Sequence, residues 1–384
     1  MKKFIATVLS LIVILTSLSL FASAEVIEND AVLQFNADGK FKILHICDIQ
    51  DTPYVKPQIL EYIAKTCDAE NPDLIVLGGD NLGSNCGKAA TDLIAKWQVK
   101  RAINSIMSIF EERKIPTALV FGNHDGEKQI VDEVQMEIYT SYDCCVAIDE
   151  GEDIYGCGTY NVPIMSSDSK KVAYNIWCFD SNAYLDEGYD YVHDDQVDWY
   201  VKKSNELKAE NNGVPVPSLA FQHIVVPEIY EAMEHGTYIE GYVNENPSPS
   251  HHPSKQFNTM VSQGDVKGMF FGHDHVNTYT YAYKGINLVN TPAGGFGVYG
   301  DSNRGIRVIE LDEKDTSTYK TRLINYLDTY VTTETELCRW KMNASDSIYN
   351  DFTKALNGIR YFYKALEEGK SFAYLLYEII CTIM

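Results

Sequence analysis

Residues 117–125 read Thr-Ala-Leu-Val-Phe-Gly-Asn-His-Asp. A short run suited to a buried strand stops at Phe121, a glycine turns the chain, and three polar side chains follow at once. The same construction recurs around it. Residues 73–77 (DLIVL) form a buried strand closed by Gly78-Gly79 and followed by Asp80. Residues 41–48 (FKILHICD) have strand character and end on Asp48, with Gln50 two positions on. Residues 219–223 end on His223, and the strand at 266–271 runs into Gly272-His273-Asp274-His275.

Helical patterns lie between these runs, at residues 58–68, at 89–114 without an interrupting Pro or Gly, and at 127–139. Strands alternating with helices of this length predict βαβ units and a parallel-rich sheet covered on both faces. In such sheets ligands bind beyond the carboxyl ends of the strands. Five strand ends therefore deliver Asp48, Gln50, Asp80, Asn123, His124, His223, His273 and His275 to one edge. Carboxylate, amide and imidazole groups in this mixture suit divalent metals. They are too many for one mononuclear site and about right for a pair of ions ~3.5–4 Å apart, an arrangement suited to phosphoryl chemistry.

Taken in order, D48-I-Q50, G79-D80-N81, G122-N123-H124-D125, H223 and G272-H273-D274-H275 resemble the calcineurin-like metallophosphoesterase superfamily. Residues 221–230 (FQHIVVPEIY) and 272–277 (GHDHVN) are similar to its purple-acid-phosphatase-like branch. The resemblance covers about residues 40–312. It implies an α/β fold, the calcineurin-like αββα sandwich of two mixed β-sheets flanked by helices, here with a C-terminal helical tail. It implies two divalent metal ions: Asp48, Gln50 and His275 hold the first, Asp80 bridges both, and Asn123, His223 and His273 hold the second. His124 is implied to be catalytic, stabilising the transition state or protonating the leaving oxygen.

The chain departs from the family pattern twice. The family's D-x-H histidine is Gln50 here, an oxygen ligand in place of a nitrogen, so manganese is the expected metal, with iron or zinc as alternatives. Purple acid phosphatases carry a metal-binding tyrosine three residues after the bridging aspartate. That position is Gly83, so no purple iron–tyrosinate centre is expected.

The second half of the chain changes style. Residues 158–165 and 171–180 read as strands joined by a turn at 166–169, and 194–211 as a helix with Asp194-Asp195 in its first turn. Residues 236–254, rich in Gly, Pro, Ser and Asn, read as a loop, and 278–283, 287–290 and 306–311 as a run of antiparallel strands. No repeat or linker breaks the pattern. We expect a signal peptide at 1–24, one domain of two sheets over 25–334, and a helical tail over 335–384 whose last 13 residues pack on the domain rather than anchor it.

Of 384 residues, 54 are acidic and 32 basic, a net charge of −22. So acidic a body argues against general nucleic-acid binding but not against a small phosphorylated substrate held by metal. Lys2-Lys3, an apolar run over residues 4–21 and the small residues Ala22-Ser23-Ala24 form a secretory signal, so a secreted or cell-surface/periplasmic location is expected, with no stable membrane span after cleavage. Nine cysteines, with no CxxC pair, read as mostly buried thiols. His45, His193, His235, His251 and His252 read as structural. Strand parity places His45 opposite to Asp48, facing away from the site. Asn81 and Asp125 read as loop braces, Asp274 as pointing elsewhere, and Asp180 as a turn cap or support.

These readings point to an exported phosphoesterase that hydrolyses a phosphate ester by attack of a metal-bridging hydroxide at a dinuclear centre. A phosphodiester or nucleotide-diphosphate hydrolase is the alternative within enzymes. A non-catalytic cell-surface scaffold on the same fold is the alternative outside them.

Overall fold

The computed structural model describes residues 32–151, 153–344 and 351–383; the secretory signal expected at residues 1–24 lies outside them. Two mixed sheets face each other between layers of helix. The smaller has five strands in the order Lys320–Asn325, Gly305–Asp312, Lys40–Ile46, Leu74–Gly78 and Thr117–Val120. The last three run parallel, with Ile43 beside Leu74 and Ile75 beside Thr117. They are buried along nearly their whole length, which is why they read as unbroken apolar runs. The larger sheet has eight strands. Its centre sets Val172–Cys178, Ser218–Phe221, Val266–Phe271 and Ile286–Asn290 side by side and parallel.

The long helix of this layer runs over Asp92–Arg113 rather than from residue 89, because the Thr91 hydroxyl accepts from the Ile94 amide and fixes its start. Ala95, Val99, Ala102, Ile103, Ile106 and Phe110 bury one stripe of it. The helix expected from 127 starts instead at Asp132 and ends at Tyr139. Residues 127 and 128 are held out of it: Glu127 pairs with His124, and the Lys128 ammonium donates to the Leu82 and His124 carbonyls.

The chain corrects two further expectations. The stretch at 236–254 is not all loop: Thr237–Glu240 is an exposed edge strand, antiparallel to Thr280–Tyr283. Its Thr-Tyr-Ile run has strand propensity, and the Gly- and Pro-rich composition belongs to residues 241–254. The strands between 278 and 311 are not one antiparallel run. Thr280–Tyr283 and Ile286–Asn290 form a hairpin, but the second pairs parallel with Val266–Phe271, and Gly305–Asp312 crosses into the other sheet.

His45 lies in the core between the sheets, its ring edge-on to Phe221 at 5.1 Å and its Nδ1 2.9 Å from the Thr291 hydroxyl. Burial, with Arg307 and His223 nearby, pushes its pKa down to about 3, so it is neutral. All nine cysteines are buried and none forms a disulfide.

Residues 31–384 make one compact unit. In the C-terminal helices Glu334–Asn343, Asp351–Glu367 and Phe372–Ile383, the fully buried Arg339 guanidinium reaches both oxygens of Glu61 on helix Pro57–Glu70, at 2.8 and 2.9 Å, and also Glu378. Trp340 packs edge-on against Phe296 at 5.1 Å. No helix of the described residues is long and apolar enough to cross a membrane.

Candidate metal centre

The parallel strands Lys40–Ile46, Leu74–Gly78 and Thr117–Val120 of one sheet, and Ser218–Phe221 and Val266–Phe271 of the other, end at the same edge. The loops that leave them bring Asp48, Gln50, Asp80, His223, His273 and His275 together, with the His124 backbone tied to Asp80 and the Asn123 side chain to Tyr184. Asp80 is the hub of this cluster. Its Oδ1 accepts from the His124 backbone amide at 2.8 Å, and its Oδ2 lies 3.3 Å from His223 Nε2 and accepts from the Gln50 amide. Asp48 Oδ2 accepts from the His273 backbone amide at 3.1 Å, while Oδ1 lies 3.2 Å from His275 Nε2 and 3.8 Å from His223 Nε2. His223 and His273 rings are 5.3 Å apart. Asn123 turns its amide nitrogen to the Tyr184 hydroxyl at 2.7 Å.

The backbone is bent to achieve this. Asp48, Gln50, Asp80 and His273 all have left-handed φ, between 41° and 68°. Such positions cost energy for residues other than glycine and collect at functional sites. Gly122 is required at its position for a different reason: a Cβ there would lie 2.3 Å from Asp80 Oδ1. Gly83, where purple acid phosphatases carry tyrosine, has no room for one, because its Cβ would meet the Gln50 carbonyl oxygen at 2.8 Å.

The cluster is a buried pair of carboxylates in want of a cation. Asp48 and Asp80 are fully buried, and among the described residues neither pairs with Lys or Arg. Burial alone would lower the His223 pKa, but Asp80 and Asp48 overrule it and hold the imidazole up at about 10. Burial, aided by charge on His223, depresses His273 to about 3, so that ring stays neutral and able to ligate. Asp48 Oδ1, Asn123 Oδ1, His223 Nε2 and His275 Nδ1 are buried with no hydrogen-bond partner among the described residues. Buried polar atoms are rarely left so. These four residues come from four different strand ends, and the donor set is the oxygen and imidazole mixture that divalent metals take. Asp48, Asp80 and His223 each place a ligand atom within 4.8 Å of the others. The residues present therefore fit a metal centre.

Several participants were not legible in the sequence. Glu127 Oε2 lies 3.0 Å, and the Ser84 hydroxyl 2.8 Å, from His124 Nδ1. Together they hold the ring by its Nδ1. Tyr184 and Tyr189, on a two-strand hairpin (Tyr184–Leu185 with Gly188–Tyr189), meet Asn123 and the edge of the His273 ring. Tyr299 tilts over His275 at 4.2 Å and donates to Glu245. The loop braces are in place: Asp125 accepts from the Gly122, Asn81 and Leu82 amides, Asp274 from Ser248, and Asp180 from Cys157 and Asn182.

Glu127 yields a prediction. Glu127→Gln should lower kcat by about 10-fold, within the range for residues that orient a working group, and leave the metal content unchanged. Metal analysis beside turnover checks it; loss of an ion would mean that Glu127 supports ligation instead.

The chain belongs to the calcineurin-like phosphoesterase family, whose model matches residues 41–277, more than half of its length. It is 31% identical to probable inactive purple acid phosphatase 29 of Arabidopsis thaliana over 73% of this chain and 79% of that one. It is 28% identical to probable inactive purple acid phosphatase 14 of the same plant, over 72% and 77%. Among solved structures it is similar to a dimetal phosphatase from Danio rerio, at 12% identity, with a TM-score of 0.48 over 74% of this chain and 99% of that one.

Proposed function

We propose that the chain is an active metal-dependent hydrolase of phosphate esters, exported behind a signal at residues 1–24. Its substrate is a small phosphorylated molecule. Asp48, Gln50 and His275 would hold one divalent ion, Asn123, His223 and His273 a second, with Asp80 shared. When bound, such ions supply a Lewis acid for phosphoryl oxygens and lower the pKa of water. The chain's own part is to place and protonate. His124, held at Nδ1 by Glu127 and Ser84, presents Nε2 to the leaving oxygen and gives it a proton. Glu127 keeps the ring oriented for that transfer. Asp80 ties the His124 backbone to the ligand cluster, so acid and ligands keep one spacing.

One observation carries this reading: Asp48, Asp80 and His223 converge at one buried point, where Asp48 Oδ1 and His223 Nε2 have no hydrogen-bond partner among the described residues. "Inactive" in the relatives' names belongs to those proteins. A scaffold freed from catalysis would have no reason to keep two carboxylates buried with no Lys or Arg beside them among the described residues, a costly state. The test is hydrolysis of p-nitrophenyl phosphate and of its bis ester, with and without EDTA. Metal-dependent release from the monoester supports a phosphatase, and release from the bis ester alone a diesterase. No release with any added metal would leave the scaffold.

Gln50 sets the metal. Its amide already lies against Asp80 Oδ2, and a half-turn about its last bond exchanges the nitrogen there for Oε1. The first ion would then see oxygens from Asp48, Asp80 and Gln50 against one nitrogen from His275, which favours Mn²⁺. Activity after chelation should be restored best by Mn²⁺. Gln50→His should tighten the first site and move its preference toward Zn²⁺ or iron. Titration of both metal-depleted proteins with Mn²⁺ and Zn²⁺ checks this; identical profiles would mean that Gln50 does not ligate.

A further inference from the structure

The last two helices are built inside out. Their inward faces surround a buried charge network: Arg339 meets Glu61 and Glu378, and Glu378 also accepts from the Tyr361 hydroxyl. The apolar cluster beneath them is small, comprising Cys338, Met342, Tyr361, Ala365 and Leu375. The large apolar side chains point the other way. Phe352, Leu356, Ile359 and Tyr363 recur at helical spacing along Asp351–Glu367 and are 37–78% exposed. Phe372, Leu376, Ile380 and Ile383 do the same along Phe372–Ile383, at 42–79%. With Tyr377, these two helices carry nine of the 23 large exposed apolar residues among the described residues, so the feature is a face and not scatter. It continues onto helix Asp92–Arg113, where Arg101 lies over the Tyr54 and Trp97 rings and beside Tyr377, with Leu93 one turn from Trp97.

We propose that this face is the interface of a homodimer, closed by the same two helices of a second copy across a two-fold axis. Area and charge argue for that occupant. The nine side chains present on the order of 900 Å² of surface, against the ~800 Å² per partner of a standard interface. The segment 351–383 carries four basic and four acidic residues, so it is neutral in a chain of net charge −22. At a neutral segment two such acidic bodies can approach with less repulsion than their net charge would impose. Two helical hairpins meeting apolar face to apolar face make a four-helix packing, and an isologous contact needs no second kind of surface. A bilayer fits less well. Helices that lie on membranes carry polar faces rich in free Lys and Arg. Here Lys364 pairs with Glu334 and Lys370 lies over the Tyr361 and Tyr374 rings, which leaves two basic residues, Lys354 and Arg360, against four acidic ones, and the acidic body would be repelled by anionic lipid.

The test is sedimentation velocity of the full chain across a concentration series, for wild type, for Ile359→Glu with Ile380→Glu, and for Leu356→Lys with Ile383→Lys. All four positions are solvent-exposed in the single chain, so circular dichroism and thermal midpoint should match wild type. The expected result is a dimer of wild type whose dissociation constant rises by about 100-fold or more in both folded variants, since each would bury unpaired charge at the interface. Wild type sedimenting as a monomer throughout would overturn the proposal, and vesicle binding lost in the variants would then assign the face to lipid. A dimer that both folded variants leave intact would overturn it as well.

Discussion

Asp80→Ala should abolish turnover and release the bound metal. Asp80 holds three things at once: the His124 backbone amide on Oδ1, and His223 Nε2 with the Gln50 amide on Oδ2. Alanine removes the ligand proposed to be shared, frees the loop that carries His124, and leaves Asp48 as the one carboxylate among the proposed ligands. Losing several kcal/mol of transition-state stabilisation corresponds to a fall in rate on the order of 10³–10⁵-fold. Asp80→Asn separates the contributions. It keeps an oxygen for the His124 amide but lowers the site's negative charge, so the loop should stay ordered while metal affinity still falls. Phosphate release and metal content, measured on both variants, check this. Substantial metal-dependent activity in Asp80→Ala would refute the shared-ligand assignment.

His124→Ala should separate chemistry from metal binding. Among the described residues the ring has no hydrogen bond or ion pair with Asp48, Asp80 or His223; it is tied to Ser84 and Glu127. Only its backbone joins the ligand cluster, and alanine keeps that backbone bond. A positioned acid contributes typically ~10²–10⁴-fold, so kcat should fall by that amount with two metals still bound. A substrate with a good leaving group, such as p-nitrophenyl phosphate, needs less protonation and should lose less than an alkyl phosphate. Loss of an ion, or an equal loss on both substrates, would mean that His124 acts otherwise.

The strand ends were legible because each is marked twice, by an apolar run and by a glycine or ligating residue that stops it. That double mark points to Asp48, Asp80, Asn123, His223 and His273 without any knowledge of pairing. What supports the cluster was not marked. Glu127 sat inside a helical pattern that tertiary bonds to His124 broke. Tyr184, Tyr189 and Tyr299 belong to a two-residue hairpin and a loop, where no period singles them out. Sheet membership was equally hidden. Ile286–Asn290 and Gly305–Asp312 have similar local patterns, yet one pairs parallel in the larger sheet and the other antiparallel in the smaller. Pairing across hundreds of residues is decided by how faces fit, which a local period does not record. In the tail, the helices were legible, but not that their apolar stripe faces outward, with Arg339, Glu61 and Glu378 on the inner side.

The central claim is that two divalent ions belong in the cluster around Asp80. Calorimetric titration of the metal-depleted chain with Mn²⁺ tests it most directly, because it counts ions without depending on the choice of substrate. The expected result is two ions per chain, the one assigned to Asn123, His223 and His273 tighter than the one assigned to Asp48, Gln50 and His275, with both lost in Asp80→Ala. No binding, or binding that Asp80→Ala leaves unchanged, would contradict the account.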